Sequence, residues 1–508
     1  MAAGRRRASL AELGLVAPSQ PLASLPVTGL ATDSRNSAPG VLFAALPGAQ
    51  IHGARFAADA LAAGAAAVLT DAEGAGLIGA CGAPVLVDPE PRRALARAAA
   101  AWFGAQPETM VAVTGTNGKT SVASFCRQIW AHLGHRAAAL GTLGLEGVAD
   151  RSRSGAALTT PDPLALHRLL ADLAAAGVSH AAMEASSHGL DQHRLDGVRL
   201  SAAAFTNVSR DHLDYHGNDD AYMAAKLALF DRVLPVGATA VINLDDPTAA
   251  LMQLVAVGRG QRIVSVGCAP KADLQLLDAV HRPQGQDIQY SHAGRRYITR
   301  LPLIGDFQAA NVLMAAALAI ATGAMPERVF AVLPKLAGVR GRMEYIGSRP
   351  EGGAVYVDYA HTPDALGTAL RALRPHVDGR LTCVFGAGGD RDPGKRPLMG
   401  AAAAAAADAV IVTDDNPRSE EPATIRRAVL AEAPEAVEIG DRAEAIAAGI
   451  AGLGPDDALI IAGKGHESGQ IRGDTVLPFD DAAIARDALA EDAAGRRVTG
   501  SALRGAGV

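Results

Sequence analysis

Thr114-Gly115-Thr116-Asn117-Gly118-Lys119-Thr120-Ser121 is the stretch of this chain whose residue types and spacing point most directly to chemistry. Its glycines let the backbone curl so that successive N–H groups face phosphate oxygens, and a following helix adds the positive end of its dipole. Lys119 is placed to reach the β- and γ-phosphates and Thr120 to ligate Mg²⁺. Val113 stands where the long form of such a loop carries its first glycine, so this is a shortened G-x-x-G-K-T. The expectation is a bound nucleoside triphosphate, with Gly115, Thr116, Asn117, Gly118, Lys119, Thr120 and Ser121 as its cradle.

The elements around the loop make that use possible. An apolar run at 110–113 reads into it, and Val122, Phe125, Ile129 and Leu133 fall on one face of the helix that follows. Further strand-like runs lie at 41–45, 67–70, 85–87, 180–183, 201–205, 239–243, 354–357, 381–385, 409–412, 436–439 and 458–461. Alanine-rich helical stretches alternate with them, the pattern of parallel α/β sheets. In such sheets ligands sit beyond the carboxyl ends of the strands, and the polar clusters of this chain follow its apolar runs. Three blocks are expected: 1–107, 108–336 and 337–508.

At 508 residues, 49% of them apolar, the chain has material for several cores. A formal charge of −6 offers no basic face for nucleic acid. Cys81, Cys126, Cys268 and Cys383 are far apart, which suits a reducing compartment rather than a disulfide framework. Arg5-Arg6-Arg7 is followed by the acidic Glu12 rather than by an apolar core, against a signal peptide. The alanine run 401–407 stops at Asp408, and no stretch reaches the ~18–20 apolar residues of a membrane span. A cytoplasmic monomer acting on small molecules is the expectation.

TGTNGKTS resembles the phosphate loop of the Mur ligases, ATP-dependent amide-forming enzymes of peptidoglycan assembly. The likeness covers nearly the whole chain. It implies an N-terminal UDP-binding α/β domain, a central P-loop ATPase domain with a mostly parallel sheet and a C-terminal Rossmann-like domain, in the order of the three blocks.

By themselves Glu184, His212 and Lys226 read as a carboxylate beside a helix start, a loop histidine and a solvated helix lysine. The resemblance implies that Glu184 and His212 ligate Mg²⁺ with Thr120, and that Lys226 is carbamylated and completes the site. Carbon dioxide attacks only a neutral amine, which burial can supply by depressing a lysine pKa by up to about 3–5 units. The resemblance also implies Asn311 and Arg340 as ATP contacts, and Asp358 and His361 as residues near ATP that equally read as turn formers.

Asp415-Asn416-Pro417-Arg418 resembles the segment with which family members that add diaminopimelate hold that amino acid. Diaminopimelate differs from lysine by one carboxylate, which a guanidinium grips bidentately. Arg391, Gly463 and Glu467 match the remaining contacts, with Glu467 suited to the ammonium group. Thr32, Ser34, Ala49 and Gln50 match the UDP-sugar segment, and Thr159, Thr160, Ser186, Gln192 and Arg194 the muramoyl-dipeptide contacts. Folylpolyglutamate synthases share the loop and the chemistry, but the N-terminal block and the 415–418 motif argue for a muropeptide substrate. A nucleotide switch without ligase activity would leave the arginine-rich C-terminal segments unexplained.

Overall fold

The computed structural model describes residues 6–48, 51–148, 158–282 and 285–494. Ala49 and Gln50 lie outside them.

The first sheet joins β1 (Gly29–Ala31), β2 (Val41–Ala44), β3 (Ala67–Thr70) and β4 (Val85–Val87) in that order, all parallel. Helix α1 (Pro91–Phe103) packs Leu95, Ala98 and Trp102 into the core beneath it. Proline at its first position costs no helical hydrogen bond, which makes the start well defined.

The central sheet holds ten strands. They are β5 (Thr109–Thr114), β6 (Ala137–Gly141), β7 (Gly144–Glu146), β8 (His180–Glu184), β9 (Ala202–Phe205), β10 (Thr239–Asn243), β11 (Arg262–Gly267), β12 (Leu274–Arg282), β13 (Gly285–His292) and β14 (Arg295–Leu301), in spatial order β14-β13-β12-β11-β10-β9-β5-β8-β6-β7. β5 is buried along almost its whole length, between β8 and β9, and parallel to both. A strand covered on both faces reads as a continuous apolar run, which is why Met110–Val113 shows no alternation. Helix α2 (Lys119–His132) packs Val122, Phe125 and Ile129 into one core with the long, almost wholly apolar helix α3 (Asp306–Ala321).

The strand-and-helix rhythm of the sequence did not anticipate the β12–β14 meander. These strands are antiparallel. Their outer face is partly exposed and their residues mix charged and apolar types, so no apolar run marks them.

In the third block β15 (Glu344–Arg349), β16 (Gly352–Asp358), β17 (Leu381–Phe385), β18 (Ala409–Val412), β19 (Val437–Glu438) and β20 (Ala458–Ala462) form one sheet, in order β15-β16-β20-β17-β18-β19. Only β15 is antiparallel to its neighbour. A hairpin of β21 (Gly469–Arg472) and β22 (Thr475–Pro478) follows.

The connection into this block is a tight turn in which Val339 bridges Arg342. Gly341 stands at its corner with φ 65°. A Cβ there would come within 2.3 Å of the His466 nitrogen and 2.8 Å of the Gly465 Cα, so the linker lies directly on the loop after β20.

Candidate functional site

The loop after β5 is held open by bonds to the end of β9. Thr116 N donates to the Asn207 carbonyl at 2.8 Å, Asn117 N to Asn207 Oδ1 at 2.9 Å, and Thr206 Oγ1 to the Asn117 carbonyl at 2.6 Å. Gly118 precedes α2 with φ 86°, in the left-handed region that glycine tolerates without strain. Lys119 Nζ rests on the loop's own carbonyls, Gly115 O at 2.9 Å and Thr116 O at 2.8 Å. Burial lowers its pKa, and Glu184 and Asp211 oppose that shift. Asn311, on α3, reaches the same loop, since a Cβ on Gly118 would sit 2.6 Å from Asn311 Oδ1.

Around this loop opens a cavity of about 460 Å³. Thr116 to Ser121, Glu184, His212, Lys226 and Asn311 all line it. Residues from the third block close its other side, among them Arg342, Tyr359 and His361. Parallel strands carry their polar residues to one end of the sheet, and this is the end at which they converge.

Glu184 ends β8 with both oxygens oriented by Thr142, whose N–H donates to Oε1 at 2.7 Å and whose hydroxyl donates to Oε2 at 3.1 Å. Thr120 and Glu184 also share a small recess beside the cavity. Among the described residues no group of three His, Cys, Asp or Glu side chains converges to hold a metal ion. The donors at hand are instead a threonine hydroxyl and a carboxylate, oxygen ligands that suit a hard cation such as Mg²⁺. His212 borders the cavity in a left-handed conformation, φ 54°, with its Nε2 3.4 Å from Asp211 Oδ2.

Lys226 is almost fully buried. Its Nζ donates to Gly115 O at 2.8 Å and stands 4.2 Å from the centre of the Tyr222 ring. Tyr222 shares a 3.1 Å hydrogen bond with Thr116 Oγ1. Burial, reinforced by the nearby Lys119 ammonium, drives the Lys226 pKa well below the ordinary lysine value. Both effects favour the neutral amine over the ammonium.

Arg340 and Arg342 diverge across the Gly341 turn. Arg340 is exposed and pairs with Asp480 at 2.7 Å, away from the cavity. Arg342 lines the cavity, donates to Thr120 Oγ1 at 3.3 Å and stacks over Tyr359 at 4.4 Å. Sequence reasoning named the first arginine of Arg-Gly-Arg and passed over the second; only the turn geometry separates them. Tyr222, Asp211 and Tyr359 were also passed over. Asp211 immediately precedes His212, but nothing in its type marked it out.

The dipeptide candidates form one cluster. Thr160 Oγ1 donates to the Glu184 carbonyl at 3.0 Å and accepts from Ser186 N at 3.1 Å. Arg194 donates to the Thr160 carbonyl at 2.6 Å and to Gln192 Oε1 at 2.7 Å. Thr159 Oγ1 lies 3.1 Å from Thr142 Oγ1, which ties the cluster to Glu184. Thr32 and Ser34 lie after β1, where Asp33 caps a short 3₁₀ turn and pairs with Arg35. Neither of them lines the cavity.

The third cluster gathers at the carboxyl ends of β17, β18 and β20. Gly389 N donates to the Asn416 carbonyl at 3.0 Å and the Arg418 guanidinium donates to the Gly389 carbonyl at 2.8 Å. Asp390 accepts from Ser419 Oγ at 2.6 Å, so the turn carrying Arg391 is stapled beside Arg418. Asn416 and Arg418 flank Pro417 with φ 43° and 51°. Asn416 Nδ2 donates to Glu467 Oε2 at 2.8 Å. A Cβ on Gly463 would meet Asp415 Oδ2 at 2.3 Å, so that position requires glycine. Arg418 does not line the nucleotide cavity. Tyr359 and His361 line that cavity, and Lys395 Nζ donates to the His361 carbonyl at 3.3 Å.

Three family models match the chain: "Mur ligase family, catalytic domain" over residues 26–103, "Mur ligase middle domain" over 113–319 and "Mur ligase, glutamate ligase domain" over 341–465. The chain belongs to the Mur ligase family. A UDP-N-acetylmuramoyl-L-alanyl-D-glutamate–2,6-diaminopimelate ligase of Caulobacter vibrioides is 53% identical over 476 residues, which are 93% of this Mur ligase and 97% of that protein. A solved structure of a UDP-N-acetylmuramoyl-L-alanyl-D-glutamate–2,6-diaminopimelate ligase aligns with a TM-score of 0.70 at 35% identity, covering 96% of this chain and 99% of that one. The MurF ligase of Thermotoga maritima in complex with ADP shares the fold, with a TM-score of 0.59 at 17% identity over 92% and 97% of the two chains. Among the described residues no helix of this Mur ligase is long and apolar enough to cross a membrane.

Proposed function

We propose that this Mur ligase joins meso-2,6-diaminopimelate to UDP-N-acetylmuramoyl-L-alanyl-D-glutamate with hydrolysis of ATP to ADP and phosphate, a step of peptidoglycan synthesis. One observation carries the reading. A phosphate loop with its lysine lines a cavity, and beside that cavity two arginine-bearing turns are stapled together next to an acidic pair, Asp415 and Glu467. Two arginines for a carboxylate and two carboxylates for an ammonium match the far end of diaminopimelate. The 53% identity to a relative named for this activity supports it.

Gly115 to Ser121 and Asn311 bind ATP, and Arg342 joins them in place of the solvent-facing Arg340. Thr120, Glu184, His212 and a carbamylated Lys226 would hold Mg²⁺, which neutralises charge on the β- and γ-phosphates when bound. Lys119 leaves its loop carbonyls for the phosphate oxygens. An oxygen of the D-glutamate γ-carboxylate attacks the γ-phosphorus, the bond to ADP breaks, and an acyl phosphate forms. The diaminopimelate amine adds to the acyl carbon, loses a proton, and the tetrahedral intermediate expels phosphate. The protein contributes positioning and electrostatic stabilisation rather than a covalent intermediate. Thr159, Thr160, Ser186, Gln192 and Arg194 hold the dipeptide, and Thr32, Ser34, Ala49 and Gln50 the UDP-sugar.

ADP release should require the UDP-linked dipeptide and diaminopimelate together. Release with lysine or glutamate in place of diaminopimelate, or with no UDP-linked substrate, would reject the assignment.

A further inference from the structure

Lys464, in the loop between β20 and β21, is wholly withdrawn from solvent and does not line the nucleotide cavity. A sequestered ammonium must be met by acceptors, because an unpaired buried charge is prohibitively costly. Its Nζ donates to Asn416 Oδ1 at 3.0 Å and to the Gly469 carbonyl at 2.7 Å, and it lies 3.3 Å from Asp415 Oδ1. Two hydrogen bonds and an ion pair thus surround the ammonium, all of them to groups of the protein itself. Glu467 Oε2 is 3.7 Å away.

The consequence falls on Asn416. Its Oδ1 accepts from Lys464 and also from Ile471 N at 2.9 Å. Flipping the amide would set its NH₂ against two donors, so Nδ2 must face Glu467. Glu467 is also faced by Asp415, Arg418 and Tyr359, and the buried Arg442 guanidinium feels both carboxylates. Burial, then the Asp415 charge, raises the Glu467 pKa; Asn416, Lys464 and Arg418 oppose the rise.

We propose that Lys464 is the positioning residue of the amino-acid pocket: it holds Asp415 and Glu467 together as carboxylates and locks the Asn416 amide, so that this side of the pocket accepts an ammonium while Arg391 and Arg418 are left for a carboxylate. Two carboxylates against one internal ammonium leave one negative charge for the incoming cation. The inference rests on the assignment of this pocket to the amino-acid substrate.

The test is Lys464→Met in the full-length enzyme, with KM measured separately for the three substrates. Without the ammonium, Glu467 protonates at higher pH and donates where it should accept. The amino-acid KM should rise about tenfold or more near pH ~7 and recover as pH is raised toward ~9, while the KM values for ATP and the UDP-linked dipeptide stay within about twofold. An unchanged amino-acid KM, or a pH-independent rise shared by all three substrates, overturns the proposal. Should Lys464→Met fail to fold, Lys464→Arg is measured instead. It keeps the charge but not the geometry, so the amino-acid KM should rise roughly threefold or more with the wild-type pH slope, and an unchanged KM overturns the proposal. The assay uses whichever amino acid the wild type consumes. A wild type that prefers lysine therefore refutes the assignment of diaminopimelate without touching the test of Lys464.

Discussion

Lys226 Nζ donates to the carbonyl oxygen of Gly115 at 2.8 Å, so a helix lysine 111 residues downstream ends on the first glycine of the phosphate loop. That geometry places an amine with a strongly lowered pKa against the phosphate loop. Lys226→Ala should reduce the rate of ADP release by about 100-fold or more, since it removes the proposed metal-organising carbamate. Formate or acetate should restore part of it by standing in for the carbamate. Undiminished turnover in the variant would remove the carbamate from the account.

The two arginines of the 339–342 turn give an internal comparison. Arg342→Ala removes the partner of Thr120 and the stack on Tyr359, and should lower kcat/KM for ATP by roughly 10- to 100-fold. Arg340→Ala breaks only an exposed pair with Asp480, worth about 0–1 kcal/mol, and should leave ATP kinetics within about twofold. Equal losses in both variants would contradict the geometry.

Arg418 is anchored by its bond to the Gly389 carbonyl, and its side chain is only half-buried. Arg418→Ala should lose the discrimination of diaminopimelate against lysine, by about 100-fold or more, because the second carboxylate forfeits its bidentate partner. Competition between the two amino acids in one assay measures it. A preserved preference would mean that another residue reads that carboxylate.

The pH profile of the wild type follows from Glu467. Its pKa is raised above the ordinary glutamate value, chiefly by burial. The carboxylate that would bind an ammonium is thus present above the raised value and lost as pH falls through it. The amino-acid KM should increase from neutrality toward about pH 5, more steeply than the KM for ATP. Initial rates at varied amino acid and saturating ATP, taken at each pH, check this.

Much of the fold was legible because strands covered on both faces are continuous apolar runs: the expected strands at 67–70, 239–243, 381–385 and 409–412 coincide with β3, β10, β17 and β18. The β12–β14 meander was not, since its half-exposed strands interrupt their apolar residues with charges. The phosphate loop was legible from its glycine spacing together with the apolar run before it and the helical pattern after it, whereas the closeness of Glu184, Lys226 and Asn311 to it depends on three separate elements returning to one sheet edge. Lys464 gave no signal in the sequence, because a lysine in a glycine-rich loop looks solvated until burial and acceptors are seen. The choice of Arg342 over Arg340 needed the positive φ of Gly341 between them.

The contact of Gly341 with Gly465 also decides where a chimeric enzyme could be cut. The crossover from 339 to 343 fits only the backbone beneath it, leaving no space for even a methyl group. Recombinants with other members of the family should therefore be joined before Val339, so that the linker is inherited together with the loop it rests on. A junction placed inside β15 would pair a linker from one parent with a foreign loop from the other, and register at the seam between the second and third blocks would be left to chance.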